Sequence, residues 1–182
     1  MNAKDTRNIV LFGFMGTGKS AVGKVVAERL RRELIEMDAV IERREGVSIG
    51  EIFRTKGEPH FRQLERALVR ELCGKSGLVI STGGGVVIDA ANIEDFRKTG
   101  ISFSLTAEPS TVYARTKDST HRPLLKTEDP VKRIVELLEA RRPFYEKADH
   151  LIRTDDKPVA AVAEEIIRIF SDECTKRYTE RL

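Results

Sequence analysis

The chain has 182 residues, with 32 Lys and Arg against 29 Asp and Glu, a formal net charge of +3. That length suits one domain of ordinary size with a real hydrophobic core. The small, scattered positive excess gives no case for a nucleic-acid partner and suits anionic small molecules, and no apolar run is long enough to span a membrane. Residues 1–8 are short and polar and do not read as a signal peptide. Cys73 and Cys174 match neither a metal nor a disulfide spacing, as in a protein whose thiols stay reduced. A cytoplasmic monomer is expected.

Ile9-Val10-Leu11-Phe12 is a short apolar run of β-formers. It leads into Gly13-Phe14-Met15-Gly16-Thr17-Gly18-Lys19-Ser20, spaced G-x-x-x-x-G-K-S, and then into a helical pattern over 21–32. Strand, glycine loop and helix form the context this motif requires. Residues 34–38 predict a second strand ending in a carboxylate, and 39–45 a short helix closed by Gly46. Ser48-Ile49-Gly50-Glu51 fits a capping box, and Gly57-Glu58-Pro59 should break the helix it starts. Phe61, Leu64, Leu68 and Leu72 mark one face of the next helix. Residues 78–81 predict a third, buried strand running into Gly83-Gly84-Gly85. A helix over 90–98, a strand over 101–105 and a helix from Pro109 to about Thr116 follow. Residues 117–129 are polar and irregular, a candidate mobile loop. Asp129-Pro130 has N-cap and N1 character and should start a helix reaching Arg141 or beyond. A weak fifth strand is expected over 150–153, then a helix with an apolar stripe from Val159 to Phe170, and a frayed charged tail over 171–182. Alternating strands and helices predict a parallel sheet covered on both faces, with ligands at the carboxyl ends of its strands.

The glycine loop carries the clearest chemistry. Glycines let the backbone turn tightly and aim its N–H groups inward, and the following helix adds positive potential at its N-terminus. Lys19 can then reach the β- and γ-phosphates of a nucleoside triphosphate, and the Ser20 hydroxyl can ligate Mg²⁺. Asp38 reads equally as a metal-linked or base carboxylate and as a helix cap. Glu36, two residues earlier in the expected strand, would share its face. Arg62 and Arg141 are unremarkable in isolation; an arginine beside glutamates is commonly a solvated helix face. Gly83, Gly84 and Gly85 fit either a tight turn or backbone closely approached by a ligand. Arg122, in the polar loop, could swing over a triphosphate or simply face solvent. His60, His121 and His150 have no metal-site spacing.

Taken in order, the glycine loop, Asp38, Phe61-Arg62-Gln63-Leu64-Glu65, Gly83-Gly84-Gly85, Arg122-Pro123-Leu124-Leu125 and Arg141-Arg142-Pro143-Phe144-Tyr145 resemble the motif series of shikimate kinases. The resemblance runs from about residue 9 to 170. It implies an α/β three-layer sandwich with a five-stranded parallel sheet, a P-loop NTPase of the nucleoside-monophosphate-kinase type. It implies one domain over 1–182 with its core at about 7–170, a substrate-binding segment at about 38–65 and a lid at about 117–128. The activity implied is phosphorylation of the 3-hydroxyl of shikimate, with ATP as co-substrate and Mg²⁺ as cofactor, on the route to chorismate and the aromatic amino acids. By the same resemblance, Gly13, Gly16, Thr17, Gly18, Lys19 and Ser20 hold the nucleotide, with Arg115 and Pro158 at its adenine. Asp38 holds the shikimate hydroxyls and orients or deprotonates the nucleophile. Arg62 and Arg141 grip the carboxylate, and Gly83, Gly84 and Gly85 close over the ring. Arg122 is the lid arginine, and Glu36 reaches Mg²⁺ through water. The chain departs from the family at Glu36-Met37-Asp38, where Asp-x-Asp is common. An Asn-Lys-x-Asp guanine signature is absent from the sequence, which speaks against a GTP-dependent switch.

Overall fold

The computed structural model describes residues 6–117 and 127–179, the side chains of 176–179 excepted. Five parallel strands, β1 (Asn8–Gly13), β2 (Leu34–Glu36), β3 (Val79–Ser81), β4 (Gly100–Thr106) and β5 (His150–Arg153), form one sheet in the order β2-β3-β1-β4-β5. The helices are α1 (Lys19–Leu30), α2 (Met37–Glu45), α3 (Ile49–Cys73), α4 (Ala90–Thr99), α5 (Pro109–Thr116), α6 (Pro130–Tyr145) and α7 (Val159–Thr179). A 3-10 turn spans Val86–Ile88.

Because successive strand residues point to opposite faces, β1 feeds two separate cores. Ile9 and Leu11 pack with Val22 and Val26 of α1 and Val162 and Ile166 of α7. Val10 and Phe12 face the other way, against side chains from α2 through α6, among them Met37, Ile52, Phe96 and Ile134. The strand is buried on both sides, which explains its unbroken apolar run. Asn8 secures its entry: its amide donates to Lys75 O at 2.9 Å and its side-chain oxygen accepts from Leu78 N at 2.9 Å. β1 lies between β3 and β4, so the chain switches direction across the sheet at its end. A crevice is expected there.

Local signals act as expected at most helix ends. Ser48 Oγ accepts from Glu51 N at 3.2 Å, while the Glu51 carboxylate pairs with Arg54 rather than reaching back. Asp129 accepts from Lys132 N at 2.9 Å, with Pro130 at the first helical position. Gly57 breaks the helix as expected: it leaves the helical region at φ 82°, so α3 is two helical runs joined across a kink, with Pro59 just beyond it. Two of the expected element bounds need correction here. Residues 34–38 are not all strand: β2 stops at Glu36, and Asp38 belongs to the first turn of α2. The expected frayed tail continues as helix to Thr179, because the stretch after Phe170 holds neither glycine nor proline to stop it.

Phe96 is 1% exposed, with its ring centroid 6.0 Å from that of Phe12. It ties α4 to the sheet beneath the crevice. Phe96→Ala should destabilise the fold by about 3–5 kcal/mol, measured by urea denaturation.

Candidate active site

The β1–β4 register sets Gly13 opposite Leu105. A Cβ at Gly13 would lie 2.5 Å from Leu105 O, and φ there is 140°, so only glycine fits this close approach. Beyond it the loop is tied to itself. Buried Thr17 donates to Phe14 O twice, from Oγ1 at 2.8 Å and from its N–H at 3.3 Å. Lys19 Nζ donates to Gly13 O at 2.7 Å and Phe14 O at 3.0 Å. Helix α1 starts at Lys19, two residues before the predicted start, so Lys19 and Ser20 both sit in its first turn. There the unpaired N–H groups and the helix dipole favour an anion.

This loop forms one wall of a cavity of about 650 Å³, which Gly16, Thr17, Gly18, Lys19 and the exposed Ser20 line. Glu36, Asp38, Gly84 and Arg115 line it too. Asp38 is not a helix cap; Glu36 holds that position and makes no side-chain cap bond. The two carboxylates reach the same cavity from a strand end and the first turn of a helix, not from one strand face. Desolvation by the surrounding wall raises the Asp38 carboxyl above the usual carboxylate range, Lys19 and Arg62 lower it, and Glu42 and Glu36 add to the rise. Asp38 stays exposed to the cavity, whose water screens these effects. The hydroxyl of Ser20 with the carboxylates of Glu36 and Asp38 is a hard-oxygen set of the kind Mg²⁺ takes alongside phosphates and waters.

The triple glycine gathers the remaining predicted residues. A Cβ at Gly83 would lie 2.6 Å from Asp38 Oδ1 and 3.1 Å from Glu65 Oε1. A Cβ at Gly85 would fall on the Arg62 guanidinium. Gly84 O accepts from Arg141 Nη1 at 3.4 Å. Arg141 also lies over the Phe14 ring of the phosphate loop, 5.8 Å from its centroid. Asp38, Arg141 and Arg62, from α2, α6 and α3, therefore each abut one of three consecutive glycines.

Arg115 closes the opposite end. Its guanidinium donates to Thr154 Oγ1 at 3.0 Å, Thr154 O at 2.9 Å and Gly16 O at 3.4 Å. Pro158 sits just before α7, between Lys157 and Val159, both of which line the cavity. Lys157 is anchored to Glu165 at 2.8 Å. Arg122 and most of the expected lid lie outside the described residues.

Three contributors carried no predicted role. Glu65 is 1% exposed; its Oε2 pairs with Arg62 Nη1 at 2.7 Å, and its Oε1 has no hydrogen-bond partner among the described residues. Desolvation pushes its carboxyl up to about 7, against the pull of Arg62 and with a further push from Asp38. Its spacing of three from Arg62 on a helix was the available signal. Lys157 needed only the step from Pro158 to its neighbour. Tyr145 donates to Gly84 O at 2.6 Å across 61 positions of sequence, a contact no local pattern announces.

Comparison with known proteins shows the family of the chain. The family model described as shikimate kinase matches residues 15–171. A shikimate kinase of Caldanaerobacter subterraneus is 48% identical over 164 residues, covering 90% of this chain and 96% of the relative. A solved structure described as shikimate kinase from Acinetobacter baumannii in complex with shikimate superposes with a TM-score of 0.88 at 36% identity, over 92% of this chain and 94% of that one. A gluconokinase from Sinorhizobium meliloti shares the fold, with a TM-score of 0.65 at 18% identity over 98% of this chain and 99% of its own. With the family model and a close relative both spanning most of its length, this chain belongs to the shikimate kinase family.

Proposed function

We infer that this chain transfers the γ-phosphoryl group of ATP to the 3-hydroxyl of shikimate. The observation that carries the reading is the glycine turn on which Asp38, Arg141 and Arg62 converge, with Gly84 beside the phosphate loop. A ring with a carboxylate and neighbouring hydroxyls matches two guanidinium groups and one carboxylate. Arg62 has five N–H donors; Nε and Nη2 go to Glu58 and Nη1 to Glu65, which leaves two for a ligand. Arg141 approaches from a separate helix, so the pair fixes orientation as well as charge.

The chemistry then needs alignment and neutralisation more than covalent help. The 3-hydroxyl oxygen attacks the γ-phosphorus as the bond to the β–γ bridging oxygen breaks. ADP leaves, and the hydroxyl proton passes to the Asp38 carboxylate, whose raised pKa suits a base. Lys19 swings from its loop carbonyls to the phosphates, and the α1 N-terminus holds them. Ser20, and Glu36 through water, would hold Mg²⁺, which would supply further charge neutralisation. Arg115 and the segment around Lys157 and Pro158 flank the adenine. Arg122 is assigned to the phosphates by the family resemblance alone.

One assay separates this reading from other small-molecule kinases. With ATP and Mg²⁺, offered shikimate, gluconate and nucleoside monophosphates in turn, the protein should release ADP rapidly only with shikimate. Lys19→Ala should cut that turnover roughly a hundredfold or more while remaining folded. Release with gluconate and none with shikimate would overturn the assignment. Arg62→Ala should raise the shikimate KM by the equivalent of about 2–5 kcal/mol and leave the ATP KM nearly unchanged; comparable losses for both substrates would remove Arg62 from the acceptor site.

Glu65 gives a pH test. Its proton is held to about 7 in the fold against an ordinary 4.5. Between those values the folded state binds more protons than the unfolded state, so stability falls as pH rises. The contribution is complete below 4.5, is lost above about 7, and amounts to up to about 3 kcal/mol. Glu65→Gln keeps an acceptor for Arg62 and has no proton to lose. Urea denaturation at pH 5 and pH 8 should therefore show a smaller drop in the variant than in the parent; equal drops would refute the buried-carboxyl reading.

A further inference from the structure

We propose that Tyr145 is a positioning residue for phosphoryl transfer: its buried hydroxyl fixes the direction of the Gly84–Gly85 peptide and, through that peptide, the place of Arg141. The proposal rests on the acceptor site argued above. It does not require Tyr145 to touch substrate. Tyr145 lines a second cavity of about 280 Å³, whereas Gly84 lines the first.

The need for such a residue comes from the glycines. Three in succession impose almost no preference on φ and ψ, so the peptide planes between them can rotate. A ligand-binding turn must nevertheless present its N–H groups in one direction. In a trans peptide the C=O and N–H point to opposite sides. Holding Gly84 O toward α6 therefore sends the Gly85 N–H away from α6. The holding bond is short, from Tyr145 Oη to Gly84 O at 2.6 Å. Arg141, one helical turn earlier on α6, donates to the same oxygen at 3.4 Å and also interacts with the hydroxyl itself. Losing the hydroxyl would leave that carbonyl with the longer bond alone, and Arg141 would be drawn onto it and away from a substrate carboxylate.

Tyr145 is built for a constant setting. The residue is 6% exposed, and burial pushes its phenol up to about 12, so it remains a donor throughout the working pH range. Gly84 also borders the phosphate loop; a Cβ there would stand 3.6 Å from both Gly13 O and Met15 N. The hydroxyl thus sets the acceptor turn against the loop that carries the donor.

Tyr145→Phe keeps the ring and its packing and removes only the donor. Steady-state kinetics on the full chain should show a shikimate KM raised roughly tenfold, as loss of a short buried hydrogen bond allows, with the ATP KM within about twofold of the parent. The factor should be the same at pH 6.5 and pH 8.5. Introduced into Arg141→Ala, the same change should add less than about threefold, because its route through Arg141 is already gone. A shikimate KM within about twofold of the parent, an equal rise in the ATP KM, or the same tenfold factor in both backgrounds overturns the proposal. Parent turnover of shikimate with an unaffected Tyr145→Phe overturns this proposal alone. Absence of parent turnover overturns the acceptor reading and this proposal together.

Discussion

Asp38, Arg141 and Arg62 converge on a stretch of bare backbone, and the rest of the site depends on that approach. A side chain at Gly83 would occupy the space of the Asp38 and Glu65 carboxylates, and one at Gly85 the space of the Arg62 guanidinium. Without Cβ atoms, groups from three helices come within reach of one small ligand, and the backbone itself becomes part of the binding surface. The sheet makes this possible. β1 and β3 are adjacent and parallel, so the loops leaving their carboxyl ends lie side by side. In the proposed site, a phosphate donor held by the first loop would face an acceptor held by the second.

The two halves of the site are stabilised by different physics. The phosphate loop is held largely by bonds within itself, with Thr17 and Lys19 closing on carbonyls a few residues back. The acceptor half depends on charges from distant parts of the chain. Arg62 is held between Glu58 and the buried Glu65. Burying a carboxylate is costly, and its partner recovers that cost only if the geometry is good. The Glu65 oxygen left without a partner and the carboxyl pushed up to about 7 show incomplete compensation. A pair of this kind is poor at adding stability. In the proposed acceptor site its use would be to fix a guanidinium that keeps two donors for a ligand.

That difference also explains what could be read from the sequence. The phosphate loop is contiguous, and its flanking strand and helix are announced by apolar pattern, so Gly13, Lys19 and Ser20 were legible at once. β5 and α5 were legible for the same local reason, and their predicted bounds match those observed. Asp38 was placed at a strand end because Leu34, Ile35 and Met37 look like one apolar segment. The backbone instead turns helical at Met37, two residues before the predicted helix and behind a glutamate that makes no cap bond. Arg62 and Arg141 carried no meaning in isolation and became legible only as members of an ordered motif series. Tyr145 stayed hidden because its meaning lies in one contact with Gly84, made after α6 folds back over the sheet.

The likeness to a gluconokinase at 18% identity is one of fold alone. A fold of this kind sets where the glycine loop lies and leaves open what receives the phosphate. On the proposed reading, acceptor choice would reside in side chains on α2, α3 and α6, elements packed on one face of the sheet and not hydrogen-bonded into it. Substitutions there can change the charge and reach of the acceptor wall while β1 and its loop stay in place. In the proposed site, Arg62 and Arg141 are therefore the features of this chain that would match a carboxylate acceptor, and the glycine turn is the surface against which they are set.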